Sequence, residues 1–446
     1  MRHEAKKHLY PNGLTLIVDE APQLMSVTIG AWVRTGSRHE DPDSWGMCHF
    51  LEHMIFKGGE KRGALDISKA VDRVGGDFNA FTSREHTCFH FYLPAQEAGL
   101  GAELLKETLF KPLFETKEIE RERQVILQEI AMTKESPEEE SFDRFMEKAF
   151  DKHPIGRNIL GSKESIQGIN RKKIREFFLE NYRPENMVLA VSGDITLEKA
   201  KRTFAMLGEQ AWPDRKQPRS SKPVRGSDPP EAMSPGLWWV DEQTEQAHVI
   251  YGIMAPVKTQ KERLLSAMIQ QYLGGGMSSV LFDEIREKKG WAYSVYASAV
   301  QFLDSSIFTL YAGVKTDKIL ETIKVFRNEL QKVAKTGIPA KDLKRIKDSL
   351  LYSYELSLES SESRMFTVSS SELFFKRAVS FKEYKNQVES IRAGDTQALA
   401  KDWLKHGAPS VLVLGPKPKK RDTWNEIKAD ALKLTGTNLT LEKADQ

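Results

Sequence analysis

Two histidines and a glutamate carry the clearest chemistry in this chain. In the stretch Met47 to Gly59, reading MCHFLEHMIFKGG, His49, Glu52 and His53 form an H-x-x-E-H pattern. On a helix His49 and His53 stand one turn apart, about 40° from each other around the axis, with Glu52 beside them. Two imidazoles and a carboxylate can therefore converge on one point. Zinc suits such a pair, because imidazole is a good ligand for a borderline-soft ion and a hydrolytic site needs only three protein ligands, leaving a position for water. The third ligand must come from elsewhere in the chain. The alternative reading is a helix whose two histidines are ordinary hydrogen-bonded residues, although with 10 histidines in 446 residues a chance match to the pentad is uncommon.

The surrounding sequence supplies elements to position these groups. Met47, Phe50, Leu51 and Met54 fall at i, i+3, i+4 and i+7 and predict a core-facing stripe, with Pro42 and Ser44 as a start signal and Gly58-Gly59 as a stop. Two strands, Leu14 to Val18 and Met25 to Val33, precede this helix, and a second helix, Leu65 to Val74, follows it. Asp77 to Pro94 reads as a hairpin. His86, Cys88 and His90 alternate on one face of its second strand, but residues two apart lie about 6.6 Å apart along a strand, so a polar outer face is expected rather than a second metal cluster. Thr116 to Thr133, TKEIERERQVILQEIAMT, predicts a long helix with Glu122 and Glu129 two turns, about 10.5 Å, apart. Glu129 sits among Val125, Ile126 and Ile130, where a carboxylate needs a partner such as a metal.

Length and composition bound the rest. A chain of 446 residues with 40% hydrophobic and 29% charged residues is an ordinary globular protein of two or three domains. The net charge of +3 gives no case for nucleic acid or an anionic membrane as partner. Two cysteines, Cys48 and Cys88, cannot build a disulfide framework, no apolar run approaches the ~18 residues of a membrane span, and no secretory signal precedes the first strand, so a cytoplasmic location is expected. Residues 213–235 turn to Pro, Ser, Lys, Arg and Asp and read as a linker. Beyond it the order of elements repeats. NYRPENMVLAVSGD is answered by KHGAPSVLVLGP, and TKEIERERQVILQEI by AKDLKRIKDSLLYSY, which places Ser353 over Glu129. Two related domains are expected, 1–212 bearing the chemistry and 236–446 keeping the scaffold.

These residues resemble the inverted-zincin metallopeptidases, the family of pitrilysin, insulin-degrading enzyme and the mitochondrial processing peptidases, in a short two-domain form. The likeness runs through PNGLTL, GSRHE, FKGGEKR, GGDFNAFTSRE, ERERQVILQEI, YRPENMVL, GGGMSSVLF and IREKKGWAYSV; Cys48 departs from the small residue usual before the first histidine. The resemblance implies an α+β fold of two homologous domains, each a mostly antiparallel β-sheet packed against α-helices. It implies one Zn2+ per chain held by His49, His53 and Glu129, with Glu52 as general base and Glu122 as the carboxylate behind the ligands. Asn79 and Ala80 match the edge strand along which substrate backbone is laid, and Arg286 and Tyr293 match a second-domain pair that assists catalysis. The implied activity is that of a zinc metalloendopeptidase cutting peptides or small unfolded proteins. Long relatives enclose the site with four such domains and this chain has two, so a homodimer is implied, with Arg286 and Tyr293 of one subunit facing the zinc ligands of the other. The alternative is a non-catalytic structural or regulatory subunit, and the retained His49, Glu52, His53, Glu129, Arg286 and Tyr293 argue against it.

Overall fold

The computed structural model describes residues 5–151, 153–210, 212, 228–419 and 421–443; most of the expected linker, 213–227, lies outside the described residues. In the described residues twelve strands form two six-stranded sheets. The first contains β1 (Lys6–Leu9), β2 (Thr15–Glu20), β3 (Ser26–Val33), β4 (Asp77–Thr82), β5 (Thr87–Pro94) and β6 (Met187–Gly193), in the order β1-β2-β6-β3-β5-β4. The second contains β7 (Gly236–Asp241), β8 (Ala247–Met254), β9 (Ala292–Gln301), β10 (Ser306–Val314), β11 (Ser410–Gly415) and β12 (Leu439–Lys443), in the order β12-β7-β11-β8-β10-β9. Among the described residues only β2 with β6, and β7 with both β11 and β12, pair in parallel. From β2 to β4 and from β7 to β9 the two sheets repeat one strand order, as a duplicated α+β domain requires. No helix among the described residues is long and apolar enough to cross a membrane.

Two compact units emerge, and neither is contiguous. The first comprises Met1–Ala131, Asn158–Ser227 and Tyr352–Lys385; the second comprises Met132–Arg157, Asp228–Leu351 and Asn386–Gln446. Each sheet thus receives a helix encoded in the other half of the chain, an exchange for which the division at 212 and 236 made no provision. In the first unit the helix Ser361–Phe375 covers β2, β3 and β6, burying Met365 and Val368 against Ile17, Trp32, Cys88, Val188 and Ala190. In the second, Pro137–Ala149 covers β8 and β11, burying Phe145 and Met146 against Ile250, Leu412 and Leu414.

Glycines at corresponding strands make room for these helices. A Cβ at Gly30 of β3 would lie 2.5 Å from Met365 Sδ, and one at Gly252 of β8 would lie 2.2 Å from Phe145 Cζ. The covering helix also corrects the reading of β5. Cys88 and His90 face no solvent, because Ser361–Phe375 lies over them and His90 Nε2 meets Glu362 at 3.4 Å. Sheets covered on both faces need near-continuous apolar strands, and β6 and β10 are buried at every position.

Candidate metal centre

The opposite face of the first sheet carries the histidine helix, Met47–Ile55, whose Met47, Phe50, Leu51 and Met54 are all buried in the main core. Its start is not made by Pro42 and Ser44, which form a separate 3-10 turn. The helix begins at Met47 after Gly46 at φ 91°, and the buried Glu40 carboxylate accepts the amides of Gly46 at 2.8 Å and Cys48 at 2.6 Å. A carboxylate taking these otherwise unsatisfied N–H groups at the positive end of the helix dipole fixes where the helix begins. Past its other end Gly58, at φ 118°, turns the chain away.

The long helix, Thr116–Lys134, brings the carboxylates. Ile119, Arg123 and Ile126 are buried, Arg123 donating to the carbonyls of Ile166 and Ile169, which sets the rotation of the helix. Glu122 and Glu129 then reach the histidines from different sides. Glu129 Oε2 lies 2.9 Å from His49 Nε2 and 3.6 Å from His53 Nε2. Glu122 Oε2 lies behind the ring, 3.0 Å from His53 Nδ1, and its Oε1 receives Lys57 Nζ at 2.6 Å. The imidazole rings are 4.6 Å apart. Ligand atoms of His49, His53 and Glu129 all fall within 4.8 Å of one another, and among the described residues no other such group occurs.

The electrostatics favour a cation at this point. Burial works to lower the His49 imidazole, but the neighbouring carboxylates of Glu129 and Glu52 outweigh it and lift the ring to about 9. The hydrogen bond with His49 holds the Glu129 carboxyl below its usual range in spite of burial. For Glu122 burial pushes upward, and the hydrogen bonds from His53 and Lys57 overcome it and hold the carboxyl low. Glu52 stands apart: its Oε2, 3.6 Å from His49 Nδ1, is buried with no hydrogen-bond partner. Two imidazole nitrogens and one carboxylate oxygen with an unsatisfied carboxylate alongside fit a three-ligand zinc site that keeps a place for water. Glu129 is 37% exposed at its side chain against 12% for His49 and 16% for His53, so the group opens on the Glu129 side.

The remaining residues singled out from the sequence fall in two places. Asn79 and Ala80 lie on β4, the edge strand, with Asn79 exposed and its Oδ1 accepting the Ala80 amide at 2.8 Å. Arg286 and Tyr293 belong to the second unit and meet each other. Arg286 lies on a π-helical turn, Phe282–Glu287, donates to the Tyr293 carbonyl at 2.9 Å and stands 4.5 Å from the Tyr293 ring centre, while Tyr293 itself is 73% exposed. Sequence reasoning passed over Glu40 and Lys57. The available signal for Lys57 was its place one turn beyond His53, on the side of the helix that faces Glu122.

Comparison with known proteins agrees with this geometry. The model of the Insulinase (Peptidase family M16) family matches residues 15–163, and that of the Peptidase M16 inactive domain matches 168–350. An uncharacterized zinc protease of Streptomyces coelicolor is 33% identical over 411 residues, covering 92% of this chain and 89% of that protein. One from Bacillus subtilis is 31% identical, covering 89% of this chain and 95% of its own. Among solved structures, a protease from Helicobacter pylori superposes with a TM-score of 0.84 at 24% identity, over 93% of this chain and all of that one, which bears on the fold.

Proposed function

The chain belongs to peptidase family M16, the insulinase family, and from that premise we propose that it is a zinc metalloendopeptidase acting on peptides or small unfolded proteins as a homodimer. The observation that carries this reading is the meeting of His49 Nε2, His53 Nε2 and Glu129 Oε2 beside the unpaired buried oxygen of Glu52. Zinc held by those three residues supplies Lewis acidity, acidifying water and polarising a peptide carbonyl. Glu52 takes the proton of the attacking water and delivers it to the departing amine, a role suited to a carboxylate whose buried Oε2 has only the His49 ring, 3.6 Å away, beside it. An extended substrate adds as a further strand to the free edge of β4, where its carbonyl displaces Asn79 Oδ1 from the Ala80 amide. Main-chain pairing of this kind tolerates varied side chains. The Tyr293 hydroxyl, exposed and with Arg286 against its ring, donates to the developing oxyanion.

In this reading Arg286 and Tyr293 serve the site of the partner subunit. Two variants, Glu52→Gln and Tyr293→Phe, each purified with low activity, are mixed and allowed to exchange subunits. A mixed dimer with shared sites has one site intact and one carrying both lesions, so activity returns on mixing. Activity that stays at the parental level after demonstrated exchange shows that each chain completes its own site. A wild-type chain that holds no zinc is instead a structural or regulatory subunit.

A further inference from the structure

We propose that Lys57 is a positioning residue of the metal centre, acting through Glu122 on His53; the inference rests on the zinc reading above. Three side chains stand in line. His53 Nδ1 meets Glu122 Oε2 at 3.0 Å, and Glu122 Oε1 accepts from Lys57 Nζ at 2.6 Å. Glu122 is 5% exposed at its side chain and Lys57 29%, so a half-buried ammonium reaches in to a buried carboxylate.

An exposed lysine–glutamate pair fixes little, because both partners can turn to water. This one differs in that the carboxylate is removed from water and each of its oxygens is taken by one partner. With Oε1 held by Lys57, Oε2 is the atom presented to the imidazole. Accepting from Nδ1–H fixes the His53 tautomer and ring rotation, and leaves the Nε2 lone pair aimed to the side where Glu129 and His49 converge. Without the ammonium a buried carboxylate oxygen loses its donor, the group rotates to recover one, and the hold on His53 loosens.

The backbone places Lys57 for this task. Its amide donates to the Met54 carbonyl at the close of the histidine helix, and the next residues fold into a tight loop with Gly58 paired to Gly63. Glu107 of the helix Ala98–Phe110 fastens that loop, accepting the Lys61 amide at 3.0 Å and the Arg62 guanidinium at 2.9 Å. The stem of Lys57 is thus delivered from a fixed point towards Glu122.

The test follows zinc rather than turnover. Zinc-loaded wild type, Lys57→Met, Lys57→Arg, Glu122→Gln and the double variant Lys57→Met/Glu122→Gln are mixed with a chromogenic chelator, and the rate of zinc release is recorded. A carboxylate bonded directly to a ligand is worth about 10- to 100-fold in metal affinity, and Lys57, one bond further out, is expected to speed release about three- to tenfold when replaced by Met. Lys57→Arg keeps a charged donor on a longer, forked side chain and is expected to speed release less than Lys57→Met. In the Glu122→Gln background the Lys57→Met change adds nothing, because the group through which it acts is gone. A wild-type rate in Lys57→Met, or the same acceleration with and without Glu122, overturns the proposal. Should Lys57→Met fail to fold, Lys57→Gln is read by the same criteria. A wild-type protein that takes up no zinc sinks the underlying metallopeptidase reading, an outcome separate from a zinc protein indifferent to Lys57.

Discussion

The two units are built alike and differ in what their helices present. Both sheets share a strand order, both admit an exchanged helix over a glycine, Gly30 in one and Gly252 in the other, and both bury their central strands. After β3 the first unit places a helix carrying His49, Glu52 and His53; after β8 the second places Gln260–Gly274, whose buried residues include Leu264, Leu265, Met268, Ile269 and Leu273. The second unit builds the same sheet without a comparable cluster of histidines and carboxylates among its described residues. The helix of the first adds His49, Glu52 and His53 beside its buried apolar residues, and with Glu122 and Glu129 they crowd acids around one buried Glu52 oxygen.

If that contrast holds, chemistry and stability separate on mutation. The largest effect belongs to Glu52→Gln, expected to lower peptide hydrolysis by about 10²- to 10⁴-fold while zinc stays bound. Zinc loss matching that of His53→Ala would make Glu52 a ligand instead of a base. Next come the exchanged helices. Phe145→Ala is expected to cost about 3–5 kcal/mol and Met365→Ala about 2–5 kcal/mol in denaturant unfolding, with the Phe145 variant keeping its zinc. A cost below about 1 kcal/mol for either would mean that its helix is an accessory to the sheet.

Acid tests the first unit in a different way. Burial beside Trp32 and Phe81 lowers the His86 imidazole to about 4, against about 6.5 in the unfolded chain. The ring is neutral in both states at higher pH. As pH falls from about 6.5 towards 4 the unfolded chain takes up the proton first, and stability drops by up to about 3 kcal/mol. His86→Phe should flatten that part of the stability profile; an unchanged slope removes His86 as its cause. In the second unit His248, beside Tyr311, is lowered by the same cause, burial, and contributes in the same sense. The smallest expected effect is that of Glu122→Gln, about 10- to 100-fold in zinc affinity by metal titration, below the loss from Glu129→Gln. The opposite ranking would exchange the parts assigned to the two glutamates.

Much of this arrangement was legible in the sequence. The stripe of Met47, Phe50, Leu51 and Met54 follows from helical period alone, and the placement of Glu129 among apolar neighbours marked it before any coordinate did. The hairpin of β4 and β5 and the α+β class also stand as expected. What stayed hidden depends on groups distant in sequence or disguised by polarity. Glu40 caps the histidine helix across an intervening 3-10 turn, and no local pattern announces a cap from that position. The helix Ser361–Phe375 had no place in the expectations from sequence; it contains Ser361, Arg364 and Glu372, yet all three are buried. Arg364 pairs with Asp19 at 2.7 Å and Glu372 with Lys7 at 2.5 Å, so both of these buried charges have an opposite charge on the strands beneath the helix. Cys88 and His90 were misjudged as outward for the same reason, since nothing near them in sequence shows what covers them.

The exchange of helices also sets a timetable for synthesis. A ribosome that has completed β6 at Gly193 must add roughly 180 further residues before Phe375 emerges, about 10–40 s at ~5–20 residues per second. Throughout that interval the nascent first sheet shows Trp32, Cys88, Val188 and Ala190 on a bare face. Its apolar surface has to be shielded by chaperones or by transient collapse until the last segment arrives. The portion of the gene that encodes the candidate metal ligands therefore does not encode a unit able to mature by itself, and a nonsense mutation well beyond residue 212 would still leave the first sheet unfinished.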